Sequence, residues 1–257
     1  MNVVDYLANE WCKSGLYSGD TILIHSSLSS TFSKLKKEGF KASVGDIYDS
    51  FLKAVGSKGT LIFPLFNFDF AENKFFDINS TPSQMGALTE YARLQKDSVR
   101  TGHPFYSFAI VGSKSNLFKS IDNNSGYGKD SPFAMLTKID AKIGKLGLPD
   151  EKCMTFFHHV EESIGVEYRY YKDFTGTYID SKNISSQKTY KLYVRDLENN
   201  VESWVKPMGD LLWKKNLYNG CKYNEGNFFS TIKANDVYFQ TERIIVNGMA
   251  RSYLRKN

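Results

Sequence analysis

The sequence predicts an α/β protein: a layered αβα fold with a central mixed sheet, plus an antiparallel C-terminal extension. Two apolar runs, residues 20–25 and 59–64, have the composition of buried strands and flank an amphipathic helix. Residues 168–207 are instead rich in Tyr, Thr and Val, which favour antiparallel strands. With 257 residues, 41% of them hydrophobic, the chain suits one large domain or one domain with a smaller lobe.

The first predicted elements follow in chain order. Apolar residues recur at helical spacing up to Trp11, and Gly15 is expected to end this helix. The strand at 20–25 (DTILIH), a helix at 45–55 and the strand at 59–64 (GTLIFP) come next. This strand–helix–strand order is typical of the opening of a central sheet.

The middle of the chain predicts a helix, a strand and a loop. We predict a helix at 81–94, because Thr81 can cap it and Pro82 fits the first helical position. A core strand is predicted at 106–112 (YSFAIVG) and a turn-rich loop at 123–129 (NNSGYGK).

The last predicted elements include the antiparallel part. A helix at 155–164 should end at Gly165. We predict a hairpin turn at Asn199 and Asn200, between the strands KLYVRDL and VESWVK. A closing helix is predicted at 235–245.

The charge of the chain is uneven. Residues 1–165 carry 18 basic and 18 acidic side chains, so the whole excess of 33 Lys and Arg over 28 Asp and Glu lies in residues 166–257. A basic part favours an anionic ligand there, and an ordinary solvated surface is the alternative. The basic residues are scattered rather than clustered, so we expect no nucleic-acid partner.

Localisation is predicted from what the chain contains. No run approaches the ~20 apolar residues of a membrane span, so we expect no membrane partner. Asp5 and the absence of a basic segment before it do not fit a signal peptide. Cys12, Cys153 and Cys221 are far apart, which predicts neither a disulfide framework nor a zinc site. We therefore expect a cytoplasmic protein.

The sharpest chemical pattern is the repeated His-x-x-Glu of residues 158–162. On a helix, His158 and Glu161 share a face, and His159 with Glu162 makes the same pair one position on. A carboxylate beside an imidazole fixes its tautomer, as a general base requires. The alternative is a helical surface pair. A metal site would need more ligands, and the HEXXH pattern is absent.

A run of polar residues, beginning at His25, Ser26 and Ser27, follows the first buried strand. Hydroxyl and backbone N–H groups at a strand end can hold an anion or an oxyanion. The alternative is a loop whose serines cap the next helix. No Gly-x-Ser-x-Gly pattern occurs, which argues against a serine hydrolase.

A second polar segment contains Arg100, His103 and Ser107 and leads into the strand at 106–112. Such groups would suit a phosphate-bearing ligand, and a turn that positions Pro104 is the alternative. The chain has neither a P-loop nor Gly-x-Gly-x-x-Gly, so ATP or dinucleotide binding by those routes is unsupported.

These segments occur in a characteristic order over residues 20–165. They are His25-Ser26-Ser27-Leu28, Val55-Gly56, Gly59-Thr60-Leu61, Pro64, Thr81-Pro82-Ser83, Gly86, Leu88, Glu90, Arg100-Thr101-Gly102-His103-Pro104, Ser107-Phe108, Gly112, Gly128, Ser131-Pro132, Leu146-Gly147, Thr155, His158 and Glu161. Together they resemble the aminoglycoside N(3)-acetyltransferase family, also called antibiotic N-acetyltransferases. Each segment alone is weak, and their joint order makes the resemblance specific.

The resemblance implies a CoA-dependent N-acyltransferase that uses acetyl-CoA or another short acyl-CoA as co-substrate and no metal. It implies that His158 is the base and that Glu161 supports it. The residues implied to bind the donor are His25, Ser26, Ser27, Thr81, Met85, Gly86, Arg100, His103, Ser107 and Ser131. Residues 1–165 would form the donor-binding, catalytic core, and residues 166–257 an acceptor-binding extension packed on it or part of one single domain.

The acceptor is left open because the chain departs from the family pattern after residue 165. Known members acetylate aminoglycosides, which are polycations, whereas the basic extension favours an anion. We therefore expect a nucleotide-linked 3-amino-dideoxy sugar for surface polysaccharide. Trp204, Trp213 or the tyrosines of residues 168–223 would stack on the base. The phosphates would be met by Lys206, Lys214, Lys215 or Arg195. An aminoglycoside, as in antibiotic resistance, is the alternative.

Other outcomes also stay open. A catalytically inactive binding module is a third hypothesis, against which the presence of both His158 and Glu161 argues. A hydrolase that needs no acceptor is a further one. A homodimer is as open as a monomer.

Overall fold

The computed structural model describes residues 1–223, 225 and 229–257. Its helices are α1 Val3–Lys13, α2 Leu28–Lys37, α3 Val44–Val55, α4 Phe70–Asn73, α5 Ala87–Arg93, α6 Pro132–Lys138, α7 Phe156–Ile164, α8 Lys206–Lys214, α9 Ala234–Val246 and α10 Ala250–Tyr253. Its strands are β1 Thr21–Ser26, β2 Thr60–Pro64, β3 Phe75–Asp77, β4 Val99–Arg100, β5 Phe108–Gly112, β6 Lys142–Leu146, β7 Arg169–Ile179, β8 Ser185–Arg195, β9 Glu202–Ser203, β10 Asn219–Gly220, β11 Phe229–Lys233 and β12 Arg255–Lys256.

The central sheet of this part has seven strands in the order β10-β11-β6-β1-β2-β5-β4. Strand β1 is parallel to both β2 and β6, whereas β5 and β11 run antiparallel to their neighbours. The predicted central mixed sheet is confirmed. Because the strand order reverses at β1, the carboxyl ends of the three parallel strands form a crevice, the usual binding position in open α/β sheets.

Helices cover both faces of this sheet. Ile22 and Ile24 of β1 pack with Trp11 of α1 and Phe51 of α3 in one buried cluster. Leu23, between them, points to the opposite face and belongs to the core shared with α6, α7, α8 and α9. Successive side chains of a strand alternate in this way, so one buried strand supplies both cores. The αβα layering is therefore confirmed.

The C-terminal part completes the central sheet as well as adding to it. In the pairing of β11 with β6, Ile232 lies opposite Ile143, and both are buried in the same cluster. The two halves of the sequence thus share one core.

The antiparallel extension is a hairpin of β7 and β8, with β3 parallel to β7 on its other side. Its turn lies at residues 180–184, where the Asp180 carboxylate accepts the backbone N–H groups of Lys182 and Ile184. The predicted hairpin turn at Asn199 and Asn200 is wrong. The chain does turn there, but β9 pairs with β12 at the other end of the sequence, a partner that local turn chemistry does not reveal.

The predicted helix at 81–94 begins too early, because α5 starts at Ala87. The backbone N–H of Gln84 donates to the Phe66 carbonyl, and that of Met85 donates to Ser83 Oγ. The first bond ties the segment to Phe66, just after β2. Because the N–H groups of Gln84 and Met85 are used in this way, they are not available to a helical turn, and no helix begins at Pro82.

The other predicted helices and the predicted strands of the central sheet are present, with bounds that differ by at most two residues. The predicted strand KLYVRDL lies at the end of β8, which begins six residues earlier, and VESWVK extends three residues beyond β9. The elements that were not predicted include α4, α6, α8, α10, β3, β4, β6, β10, β11 and β12. Four of these, β4, β6, β10 and β11, lie in the central sheet.

Candidate active site

His158 and Glu161 are in contact on α7, as their spacing predicts. His158 Nδ1 lies 2.8 Å from Glu161 Oε2. Glu161 is buried, with a side chain 3% exposed, whereas the His158 side chain is 22% exposed. The helix ends directly after this pair, at Gly165, where φ is +74° and glycine is favoured. The imidazole therefore rests on a fixed, buried carboxylate.

Two residues that follow the helix complete the cluster. Arg169, the first residue of β7, places Nη2 2.9 Å from His158 Nδ1 and Nε 2.8 Å from Glu161 Oε2. The Nε–H is not aimed at that oxygen, so we treat this contact as an ion pair rather than a hydrogen bond. The Tyr168 hydroxyl donates to Glu161 Oε1 at 3.0 Å. Sequence reasoning missed Arg169 and Tyr168, because no helical spacing links them to α7.

The environment keeps this imidazole uncharged. Burial lowers the pKa of His158, the Arg169 charge lowers it further, and Glu161 opposes both without reversing them. Burial alone would raise the pKa of Glu161, but the hydrogen bond from His158 and the charge of Arg169 bring it below its ordinary value. At neutral pH the cluster therefore pairs a neutral imidazole with an ionised carboxylate and guanidinium, the state that a general base needs.

The second His-x-x-Glu pair does not form. His159 Nδ1 lies 2.7 Å from the Tyr127 carbonyl oxygen, and the residue is buried. Glu162 points the other way and accepts a hydrogen bond from Ser125 Oγ at 2.8 Å. Of the two registers left open by the sequence, the structure thus offers a paired base only at His158.

His158 opens into a cavity of about 370 Å³ between α7 and the β7–β8 hairpin, which we call the His158 cavity. Its walls include the rings of Tyr106 and Tyr127. Its charged lining side chains are Arg169, Lys172 and Arg195. Because both neighbours of the imidazole contact Nδ1, the other nitrogen, Nε2, is left to face a substrate.

A second cavity, of about 610 Å³, lies on the far side of the hairpin and is called the Glu162 cavity. Its lining mixes the carboxylates of Glu162 and Asp130 with two lysines. The two cavities adjoin, since Tyr171 of the Glu162 cavity packs 4.8 Å, ring to ring, from Tyr193 of the His158 cavity. The basic His158 cavity and the mixed Glu162 cavity thus meet at one pair of aromatic rings.

The carboxyl ends of β1 and β2 border a third hollow, of about 480 Å³, called the edge cleft. Five of the residues predicted to bind a donor line it: His25, Ser26, Ser27, Met85 and Gly86. Sequence segments some sixty residues apart thus meet in the crevice that the strand order predicts.

The start of α2 faces this cleft. Ser27 is its N-cap, yet its side chain makes no capping hydrogen bond, and its own N–H donates to the Leu146 carbonyl. The first N–H groups of such a helix can bind an anion or a developing oxyanion. Gly147 allows the close approach, because a Cβ there would lie 2.5 Å from the Ser27 carbonyl oxygen. Burial lowers the pKa of His25 to about 4, so this residue is uncharged.

The other five predicted donor residues line neither the edge cleft nor the His158 cavity: Thr81, Arg100, His103, Ser107 and Ser131. The Arg100 guanidinium donates to the Thr81 carbonyl at 2.6 Å and to Ser107 Oγ at 3.2 Å. These bonds connect the loop that precedes α5 to Ser107, the residue just before β5.

His103 and Ser131 also bond within the chain. His103 Nδ1 accepts the backbone N–H groups of Phe105 and Tyr106, and burial lowers its pKa to about 3. Ser131 Oγ accepts the Ala134 N–H and caps α6. Both residues shape the loops around the site rather than offering a charge to a ligand.

Packed rings connect the edge cleft to the His158 cavity. The His25 ring centroid is 6.3 Å from that of Phe66, and Phe66 is 4.8 Å from Tyr106. Tyr106 lies 4.7 Å from Tyr127, whose centroid is 5.3 Å from that of His158. A row of packed rings therefore runs from His25 of the edge cleft to His158.

Within residues 1–223, 225 and 229–257, no group of three or more His, Cys, Asp or Glu side chains is placed to hold a metal ion. Within the same ranges, no helix combines the length and the apolar character that crossing a membrane requires.

Part of the chain is similar in sequence to a curated protein. A curated relative, aminoglycoside N(3)-acetyltransferase VII of Streptomyces paromomycinus, is 28% identical over 175 residues, covering 60% of this chain. The match spans 58% of that relative, less than two thirds of its length.

Solved structures share the fold. AAC-IIIb in a binary complex with CoASH has a TM-score of 0.78 at 16% identity, over 95% of this chain and 96% of that one. AAC-VIa bound to sisomicin has a TM-score of 0.77 at 17% identity, over 95% and 97%. The family model described as aminoglycoside 3-N-acetyltransferase matches residues 23–220, well over half of the sequence. The chain therefore belongs to the aminoglycoside 3-N-acetyltransferase family.

Proposed function

We propose that the protein transfers an acetyl group from acetyl-CoA to an amine of an amino sugar, with His158 as general base. The observation that carries the proposal is the contact of His158 with buried Glu161 at the wall of a cavity. Family membership supports the reaction type. The structure of AAC-IIIb with CoASH supports CoA as the donor.

The chemistry is a direct transfer. The neutral amine attacks the thioester carbonyl while His158 Nε2 accepts the proton that the nitrogen loses. Glu161 stabilises the imidazolium that forms. The C–S bond then breaks, and the CoA thiolate takes up the proton from the His158 imidazolium, which restores the neutral base. The buried thiol of Cys153 is no candidate for an acyl-enzyme, because burial raises its pKa.

The edge cleft is the donor site in this proposal. All its lining residues lie before residue 165, whereas most of the His158 cavity belongs to β7 and β8. This supports the division into a donor-binding core, 1–165, and an acceptor-binding extension, 166–257. The uncapped start of α2 would bind the phosphates or the oxyanion of the donor.

A bulky side chain in the edge cleft should weaken CoA binding. Ala87 is exposed, lines the cleft and is the first residue of α5, so Ala87→Phe adds a ring there without strained backbone. We expect the Kd for CoA, measured by calorimetry, to rise about tenfold or more, equivalent to ~1.4 kcal/mol. The acceptor KM should change little.

The matched control is Ala71→Phe, on the exposed side of α4 outside the cleft. It should bind CoA as the wild type does. Unchanged CoA affinity in a folded Ala87→Phe protein would show that the donor binds elsewhere.

For the acceptor we propose an aminoglycoside, acetylated on its 3-amino group. The family and the curated relative favour this alternative over the nucleotide-linked sugar that the charge distribution predicts. AAC-VIa bound to sisomicin supports the same class. In this chain, Glu162 and Asp130 of the Glu162 cavity offer carboxylates to the ammonium groups of such a substrate.

A nucleotide-linked amino sugar is the second candidate. It is favoured by one observation: Arg169, Lys172 and Arg195 line the His158 cavity, where a pyrophosphate could bind. The two candidates carry opposite charges, so they should respond differently to salt and to the loss of a carboxylate.

Glu162→Gln should separate the two acceptors. With an aminoglycoside we expect its KM to rise about tenfold, since an ammonium loses a partly buried counter-charge. With a nucleotide-linked 3-amino sugar the KM should stay constant or fall. Steady-state kinetics with both acceptors should be measured at about 0.1 M and 1 M salt, where the Debye length falls from ~10 Å to ~3 Å.

The control variant is Glu198→Gln, an exposed carboxylate in the loop after β8. A better kcat/KM for the nucleotide-linked sugar, falling with salt and insensitive to Glu162→Gln, would replace the aminoglycoside by the second candidate.

A further inference from the structure

Arg169 contacts both members of the proposed catalytic pair, His158 and Glu161. Its Nη2 is 2.9 Å from His158 Nδ1, and its Nε is 2.8 Å from Glu161 Oε2. The residue is 9% exposed. Its Nη1 donates to the Tyr193 carbonyl of β8 at 3.2 Å, and Nη2 also lies 3.4 Å from Ser203 Oγ of β9. Three elements therefore hold the guanidinium in place without a substrate.

Both neighbours of His158 compete for the same nitrogen. Nδ1 can carry a proton and donate it to Glu161, or it can offer its lone pair to an N–H of Arg169. In the first state Nε2 has the free lone pair that a base requires. In the second, Nε2 carries the proton and cannot accept another. The position of Arg169 thus bears directly on whether the imidazole can act.

The charged groups around His158 show which charge Arg169 compensates. The charged groups around His158 are Glu161 on its own helix, Arg169 at the start of β7 and Arg195 at the end of β8. The Tyr127 ring covers another side of the imidazole at 5.3 Å between centroids. Without Arg169, the buried Glu161 carboxylate would have the imidazole as its nearest possible cation, which would favour the charged, inactive form.

We infer that Arg169 is a positioning residue that neutralises Glu161 and so keeps His158 uncharged. With the single ring proton on Nδ1 and donated to Glu161, the Nε2 lone pair is then free to accept a proton. The inference deepens the proposed function and rests on it for the word base. The protonation state of His158 can nevertheless be measured without any substrate, so the two proposals can fail separately.

The experiment is an NMR titration of isotope-labelled histidine. The chain has four histidines, and the signal of His158 is assigned as the one missing in His158→Gln. We expect the wild-type His158 to titrate at a lower pH than free histidine, and Arg169→Gln to move this titration to higher pH. Arg169→Lys, which keeps the charge, should stay close to the wild type, as should Arg251→Gln, on exposed α10.

Kinetics supply the second readout. In Arg169→Gln, kcat/KM should fall more at about pH 6 than at about pH 8.5, by roughly a further tenfold, because less imidazole is neutral at the lower pH. A parallel loss at both pH values, with an unmoved His158 titration, would reduce Arg169 to a structural residue and overturn the inference. If Arg169→Gln does not fold, a wild-type His158 that titrates above free histidine overturns it equally.

If the titration moves as expected but no acceptor is acetylated, Arg169 still controls His158. In that case the proposed function fails and the inference about protonation survives.

Discussion

Replacing His158 with alanine is expected to lower kcat by about 10²- to 10⁴-fold, the range that a positioned general base contributes. The reason is that no other imidazole can take its place. His159 is committed to the Tyr127 carbonyl, His103 is fully buried, and His25 lines the edge cleft rather than the His158 cavity. CoA affinity should be nearly unchanged, because His158 lies outside the edge cleft. Steady-state kinetics and CoA calorimetry on one preparation test both statements.

The matched control is His159→Gln, whose amide can still donate to the Tyr127 carbonyl. It should keep turnover within a few-fold of the wild type. Wild-type turnover in a folded His158→Ala protein, or a larger loss in His159→Gln, would remove the base assignment.

Glu161→Gln should cost both stability and activity. The substitution leaves the buried Arg169 guanidinium without its counter-ion, and breaking a buried pair in this way costs about 3–5 kcal/mol. The amide can still accept a hydrogen bond from His158, so we expect a smaller loss of kcat than in His158→Ala. Chemical denaturation and kinetics below the melting temperature separate the two effects.

The lowered pKa of Glu161 determines how its contribution to stability changes with pH. The pKa of Glu161 is lowered in the folded protein, so its contribution to stability is present above the ordinary pKa of a glutamate and is lost as the pH falls through the lowered one. Glu161→Gln should lack this part of the acid loss. A variant as stable as the wild type at neutral pH would mean that the Glu161–Arg169 contact contributes nothing to the fold.

The sequence predicted the contact between His158 and Glu161, but not the residues that surround this pair. Helical spacing alone put His158 beside Glu161, because residues three apart share a face. Arg169 and Tyr168 reach the same cluster from a strand, after the chain has turned at Gly165. Such contacts follow from tertiary packing, and no local period marks them.

The strand β6 shows a second limit of sequence reasoning. Its sequence, KIGKL, contains two lysines and does not look like a central strand, yet Lys145 is only 3% exposed. The Lys145 ammonium is compensated by Asp150 at 2.8 Å and by the face of the Tyr218 ring at 3.9 Å. Because Tyr218 lies more than seventy residues further on, this compensation is invisible in a short window.

The residues predicted to bind acyl-CoA fall into two groups for the same reason. His25 and Gly86 meet in the edge cleft because strand order brings the ends of β1 and β2 together. Arg100 and His103 carry the chemistry of a phosphate site, but their hydrogen bonds are made within the protein. Arg100 donates to the Thr81 carbonyl and to Ser107 Oγ, and His103 accepts N–H groups of its own loop. Residue type predicts what a side chain can bind, and packing decides whether a ligand can reach it.

We propose that the protein transfers an acetyl group directly from acetyl-CoA to an amine, with His158 as the base. The most direct measurement incubates the wild type and His158→Ala with acetyl-CoA, with and without a deoxystreptamine aminoglycoside, and quantifies both released CoA thiol and acetylated acceptor. We predict equal amounts of the two products, formed by the wild type only when the acceptor is present, and a rate at least about 10²-fold lower for His158→Ala. Thiol release without acceptor would indicate a hydrolase, and no release with any amino sugar would indicate a binding protein; either result would contradict the account.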